Sequence, residues 1–393
     1  QLSSSTTALI DGGFVVTWNS LGTLASDGQD GSSGGIYGQR FDSEGIAVGG
    51  EFQVNSYTDD NQSESSTAAL NDGGFVVTWS SRNQDGSVSG IYGQRYDSAG
   101  AAVGDEFQVN SYTNNQQVDS STTALSDGGF VVTWSSYYQY GSSKSDIFGQ
   151  RFDSEGVAVG GEFLVFYTSS ASQIKSSTTA LNDGGFVVTW SYVPMNGSGN
   201  YTSSNIFGQR YDSEGAAVGA GFQVNSYTGN YQHSSSTTAL NDGGFVVTWS
   251  SDGQDGSGKG IYGQRFDNEG GAVGGEFQVN SYTAFDQVDS SITALGDGGF
   301  IVTWSSQVTW SSVGQDGSGS GIYGQRFDSE GQKVIEEPAV IGVQSLDFNH
   351  LNLIAGDSLT LNIEGGNSLE AVLGSEGLDQ ALENLASSLA TYS

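Results

Sequence analysis

A single cassette, DGGFVVTWSSDGQDGSGKGIYGQRFDNEG at residues 242–270, recurs in similar form six times, and this internal period limits the fold more than any other feature. The tryptophans of its VTW segment stand at Trp18, Trp79, Trp134, Trp190, Trp249 and Trp304, 55 to 61 residues apart. The glycines of its YGQR or FGQR segment keep the same register, at Gly38, Gly93, Gly149, Gly208, Gly263 and Gly324. Trp310 belongs to a local duplication of VTWSS and reads as a loop insertion.

Each repeat divides into four short segments with strand character: SSTTAL, GFVVTWS, IYGQRFD and EFQVNSY. An Asp-Gly-Gly turn joins the first two, and Gly supplies the positive φ that tight hairpins need. In GFVVTWS the apolar residues Phe245, Val246, Val247 and Trp249 occupy both parities, the pattern of a strand covered on both faces. Four strands in about 57 residues cannot bury two faces alone, so neighbouring units must stack. The expectation is an all-β chain: a β-propeller of about six four-stranded blades over residues 1–341. A β-solenoid is the rival, with coils shorter than this period, and tandem sandwiches are disfavoured by so short a unit. The sixth copy loses its wording after Asp328, leaving Glu337 to Ile341 as a degenerate fourth strand. Residues 342–393 read as a small α+β module: a strand through Leu359, Leu361 and Ile363, then a helix through Leu378, Leu382, Leu385 and Leu389.

Composition narrows the partners. With 44 acidic and 11 basic residues the net charge is −33, which repels nucleic acid and anionic membranes and draws in divalent cations. No run of 18 apolar residues offers a membrane span. Cysteine is absent, and the two histidines, His233 and His350, lie outside the repeated motif.

Candidate sites follow from the cassette. The DGQDGSG loop carries Asp252 and Asp255 in the fifth copy and Asp27 and Asp30 in the first; Asp85 and Asp316 remain in the second and sixth. Calcium takes six to eight oxygens, which Asp and backbone carbonyls of Gly-rich loops can supply. Tight-turn geometry alone explains the same residues. Tyr57, Tyr112, Tyr227 and Tyr282, in the NSYT linkers, are candidate sugar-stacking platforms or wedges between blades. Arg40, Arg95, Arg151, Arg210, Arg265 and Arg326 each precede an Asp by two residues, implying a structural ion pair with Asp42 and its counterparts. No nucleophile elbow appears, acids are too plentiful to nominate two, and near-identical blades argue against one asymmetric catalytic site.

GGFVVTWSSDGQDGSGxGIYGQRFDxxG followed by GxEFQVNSYT resembles repeats of very large secreted bacterial proteins of the RTX type, calcium-associated adhesins exported by type I secretion. The resemblance covers residues 1 to about 340, though the nonapeptide GGxGxDxUx calcium repeat is missing. It implies an extracellular or cell-surface setting, calcium as cofactor, and surface or matrix proteins, glycans or further copies of the chain as partners. The resulting expectation is a non-enzymatic adhesive or structural module. The alternatives are a glycan-binding propeller lectin, or the non-catalytic region of a secreted hydrolase.

Overall fold

The computed structural model describes residues 2–21, 33–139, 144–168, 170–195, 203–308, 314–315, 319–334, 358–363 and 367–372. The chain divides into two units, Gln1–Lys333 and Val334–Ser393. In the first unit each repeat is one antiparallel sheet, four-stranded in blades one to five and, among the described residues, three-stranded in blade six. Blade one shows the plan: Leu2–Ala8, Phe14–Leu21, Gly34–Phe41 and Ala47–Gln53, hydrogen-bonded in chain order. The all-β propeller expected from the period is therefore the fold. In the second unit Ser358–Ile363 pairs with Asn367–Val372 as a hairpin. The expected helix there, and the degenerate strand at 337–341, lie outside the described residues.

The DGG turns close the first hairpin as expected. Asp11 Oδ1 accepts the Gly13 amide at 3.0 Å, and Gly12 adopts φ +86. The outer strand differs from expectation: it begins at Ala47, takes in VGG, and ends at Gln53, leaving NSY in the linker. Gly49 at φ +74 sits in a register shift that bends the chain, so that Ala47 and Val48 pair on one side of it and Phe52 and Gln53 on the other.

Blades are joined by their faces. In blades two to five the second strand is buried throughout its VTW core, with Trp79, Trp134, Trp190 and Trp249 at 0% exposure. Five apolar cores each span one junction; in that between blades two and three, Val76, Ile91 and Val109 meet Phe130, Val132 and Trp134. Hydroxyls lock the same junctions nearer the axis. Thr17 Oγ1 lies 2.8 Å from Thr67 Oγ1, and Ser5 Oγ accepts the Thr67 amide at 3.1 Å. This explains why SSTT is kept in the first strands: both faces of that strand make hydrogen bonds.

The arginine pairing corrects the expected partner. Arg151 binds Asp127 of its own blade's DGG turn at 2.9 Å, and the other five arginines make the equivalent pair. Asp42 and its counterparts instead cap their own turn, Asp42 Oδ1 accepting the amides of Glu44 and Ile46. The reason is geometric, since the DGG turn sits beside the strand end that carries Arg. The arginine stem also crosses to the next blade, where a Cβ on Gly100 would meet Arg40 Cδ at 2.9 Å.

Close approach explains the glycine of GQR. A Cβ on Gly149 would lie 2.5 Å from Phe163 Cζ, whereas one on the exposed Gly324 of blade six meets nothing nearer than 3.5 Å among the described residues. Gly149→Ala should therefore lower unfolding free energy by about 1–3 kcal/mol, while Gly324→Ala changes it little. Urea denaturation of the two variants measures the difference.

Candidate functional site

Antiparallel order puts the inter-blade linkers and the loops between second and third strands at one end of the barrel of blades. Each first strand enters from that end and carries a bulge within its first residues, seen as a register shift between Ser63 and Ser66 in blade two and in every other blade. The bulged residue is left-handed without being glycine in all six blades: Ser3, Glu64, Asp119, Lys175, Ser234 and Asp289, with φ between 50 and 59. Such a conformation costs on the order of 1 kcal/mol per residue and tends to persist where side chains must be aimed.

These six residues line a common cup of about 470 Å³ on the axis, walled otherwise by serines. Here the blades differ. Along most of each strand the repeat places like residues in like positions, but this ring holds three carboxyls, one ammonium and two hydroxyls. Near-identity of the blades therefore does not exclude an asymmetric site, which corrects the expectation above.

Glu64 and Asp119, on adjacent blades, interact directly. Glu64 Oε2 accepts the Asp119 amide at 3.3 Å and the Ser80 hydroxyl at 3.2 Å. Burial, then the Glu64 charge and a hydrogen bond between the two carboxyls, push the Asp119 carboxyl up to about 6 against the pull of Lys175.

A second cavity of about 500 Å³ opens at the same end, among blades three, four and five. Tyr137, Ile174, Tyr231, His233, Asp252 and Lys259 line it. Burial, reinforced by Lys259 and Lys175, lowers the His233 pKa from its ordinary 6.5, so the ring is neutral at pH 7. Lys175 acts on both His233 and Asp119, so the cavity and the cup share one electrostatic environment.

The residues singled out by sequence lie around this site rather than at its centre. Asp252 lines the side cavity. Asp85 and Asp255 form loop turns, each Oδ1 accepting an amide two residues on, at 2.9 Å from Ser87 and 3.0 Å from Ser257. Their Oδ2 atoms are buried without a hydrogen-bond partner. The described residues gather no group of three or more His, Asp or Glu side chains, so calcium at either place would draw on one carboxylate with amide and backbone oxygens. Asp27, Asp30 and Asp316 lie outside the described residues. Tyr57, Tyr112, Tyr227 and Tyr282 are half-buried in the linkers, off the axis. Sequence reasoning missed the cup, although the signal was present. Aligned on SSTT, the residue one place before it is the inner-strand column that carries both charge signs.

No protein-family model and no curated protein matches the sequence. Solved structures share the fold. A Dyadobacter fermentans protein of unknown function aligns with a TM-score of 0.56 at 14% identity, over 82% of this chain and 93% of that one. An α-L-arabinanase of Penicillium chrysogenum, complexed with arabinobiose, gives 0.53 at 13% identity, over 84% and 93%. An ulvan lyase gives 0.54 at 11% identity, over 83% and 78%. These last two are glycan-cleaving enzymes built on the same blades. With the asymmetric cup, they overturn the expectation of a non-enzymatic adhesive module.

The Asp119 environment has a measurable consequence. An unfolded carboxyl releases its proton near 3.8, the folded one near 6, so between these values the native state binds more protons. Stability must then fall as pH rises through that window. Asp119→Asn should match the parent near pH 4 and exceed it in stability at pH 7, as read by chemical denaturation at the two pH values.

Proposed function

We propose that this chain is a glycan-cleaving propeller, hydrolysing a neutral polysaccharide at the axial cup. The observation that carries this reading is Asp119, a carboxyl kept protonated toward neutral pH in an open cup that also holds further carboxylates. Glycoside hydrolysis needs one carboxylic acid to protonate the departing oxygen and one carboxylate to activate water or attack carbon. Asp119 takes the first role. Glu64, hydrogen-bonded to it, is the positioning residue that raises its pKa. Asp289, on blade six of the same cup, takes the second role. Lys175 offers a donor to a sugar hydroxyl between them.

The side cavity suits the flanking sugars. Tyr137 and Tyr231 give flat apolar faces, and neutral His233, Asp252 and Lys259 give donors and acceptors for hydroxyls. A net charge of −33 favours a neutral over a polyanionic chain. The glycan-cleaving activities of the arabinanase and the ulvan lyase with this fold support a glycan as substrate. A polysaccharide substrate also agrees with the extracellular setting that the wording of the repeats implies.

Release of reducing ends from a panel of plant and algal polysaccharides, arabinan and ulvan included, tests the proposal. Turnover is expected on a neutral member, falling by about 100-fold or more in Asp119→Asn and declining above about pH 6 as the acid ionises. Absence of turnover across the panel, or full activity in Asp119→Asn, refutes it. Saturable binding with no cleavage would instead mark a lectin.

A further inference from the structure

The faces that join blade to blade are left over at one place. Each first strand packs against the next from blade one through blade six, but among the described residues the first strands of blades six and one do not pack together. Ile322 is 76% exposed, whereas its counterparts Ile36, Ile91, Ile147, Ile206 and Ile261 are at 0%. The Arg326 side chain is 45% exposed against 9 to 14% for the other five arginines. On blade one, Thr6 is exposed although Thr67, Thr122, Thr178 and Thr237 are buried, and Trp18 is only half-buried.

These two faces are the halves of one contact. Blade six presents what blades one to five present to their successors: Thr303 for Thr17, Ser291 for Ser5, and Arg326 for Arg40. Blade one presents what blades two to five present to their predecessors. Thr6 stands where Thr67 receives Thr17 Oγ1 and Ser5 Oγ, and Gly45 stands where Gly100 receives the Arg40 stem. Among the described residues a Cβ on Gly45 would meet nothing within 4 Å, which leaves space for that stem.

We infer that blade six of one chain docks on blade one of a second copy, repeating the internal junction between molecules. The contact joins two different surfaces, so it is heterologous and propagates head to tail. Its centre is apolar, with Ile322 and Ile301 of one chain facing Phe14, Val16 and Trp18 of the other. Both copies carry −33, so their repulsion opposes docking and salt, by screening it, favours docking.

Sedimentation equilibrium of the whole chain is the test. The mean mass should rise with protein concentration and rise further with added salt. Ile322→Arg and Thr6→Arg should each weaken association by about tenfold or more and leave the melting temperature unchanged, both sites being exposed. Mixed together, the two variants should form a heterodimer and nothing larger, because each keeps one usable face. A single-chain mass at every concentration, variants that associate like the parent, or a mixture without heterodimer overturns the inference.

Discussion

Burial of the second strand on both faces is the interaction on which the rest of this molecule depends. A four-stranded sheet leaves one broad face of Phe, Val and Trp uncovered, and only another blade is flat, apolar and hydroxyl-edged in the matching places. Most features kept in every copy serve that contact. The SSTT hydroxyls bridge first strands, the GQR glycine admits the outer-strand Phe, and that Phe reaches the stacked pair of the next blade, as Phe107 does at 5.4 Å from Phe152. The arginine ties its own turn and lays its stem on the following one. Uniformity is thus a requirement of packing, and it ends where packing ends.

Packing ends on the axis. The bulge lifts one residue of each first strand out of the ladder and toward the bore, away from the apolar packing that fixes residues elsewhere in the blade. Serine, glutamate, aspartate and lysine can then occupy equivalent positions with the same backbone, at φ 50 to 59. A left-handed non-glycine residue is unfavourable, and six of them in register mean that the surrounding strands impose the bend whatever the side chain. Symmetric strain and asymmetric chemistry therefore reside in one position, which is what a catalytic or binding ring requires of a repeated fold.

This division explains how far the sequence could be read. Hairpins and strand order were legible because they are local: DGG forces a turn, and VVTW is apolar on both parities. The outer-strand limits were not, since pairing of Ala47 and Val48 depends on a glycine bend that propensity disfavours. The arginine partner was misread because adjacency in sequence, Arg40 to Asp42, was weighed above adjacency across a hairpin, Arg40 to Asp11. The cup escaped because its residues look like ordinary variation in a polar, serine-rich strand. Their meaning comes from convergence of six strands, which no single repeat encodes. The open junction is of the same kind, visible only when exposures of equivalent residues are compared around the ring.

Breaks in the repeat also show how the fold tolerates change. In most junctions a linker Asn sits beside a small residue: Asn110 Oδ1 accepts the Ile91 amide at 2.6 Å and its Nδ2 reaches Gln117, with Gly90 alongside. Between blades three and four the Asn is replaced by Phe166 and the Gly by Asp146. Asp146 then takes over the glutamine, accepting from Gln173 Nε2 at 3.2 Å, and burial raises its carboxyl to about 6. One polar group has been exchanged for another from the opposite strand, keeping the glutamine anchored while putting an aromatic ring against Trp190 and Phe207. The side cavity begins at this junction, with Ser145 and Tyr137 of blade three on its wall. A paired substitution that preserves the anchor is thus the local means by which one junction departs from the others, and the departure lies beside the ring where the charges differ.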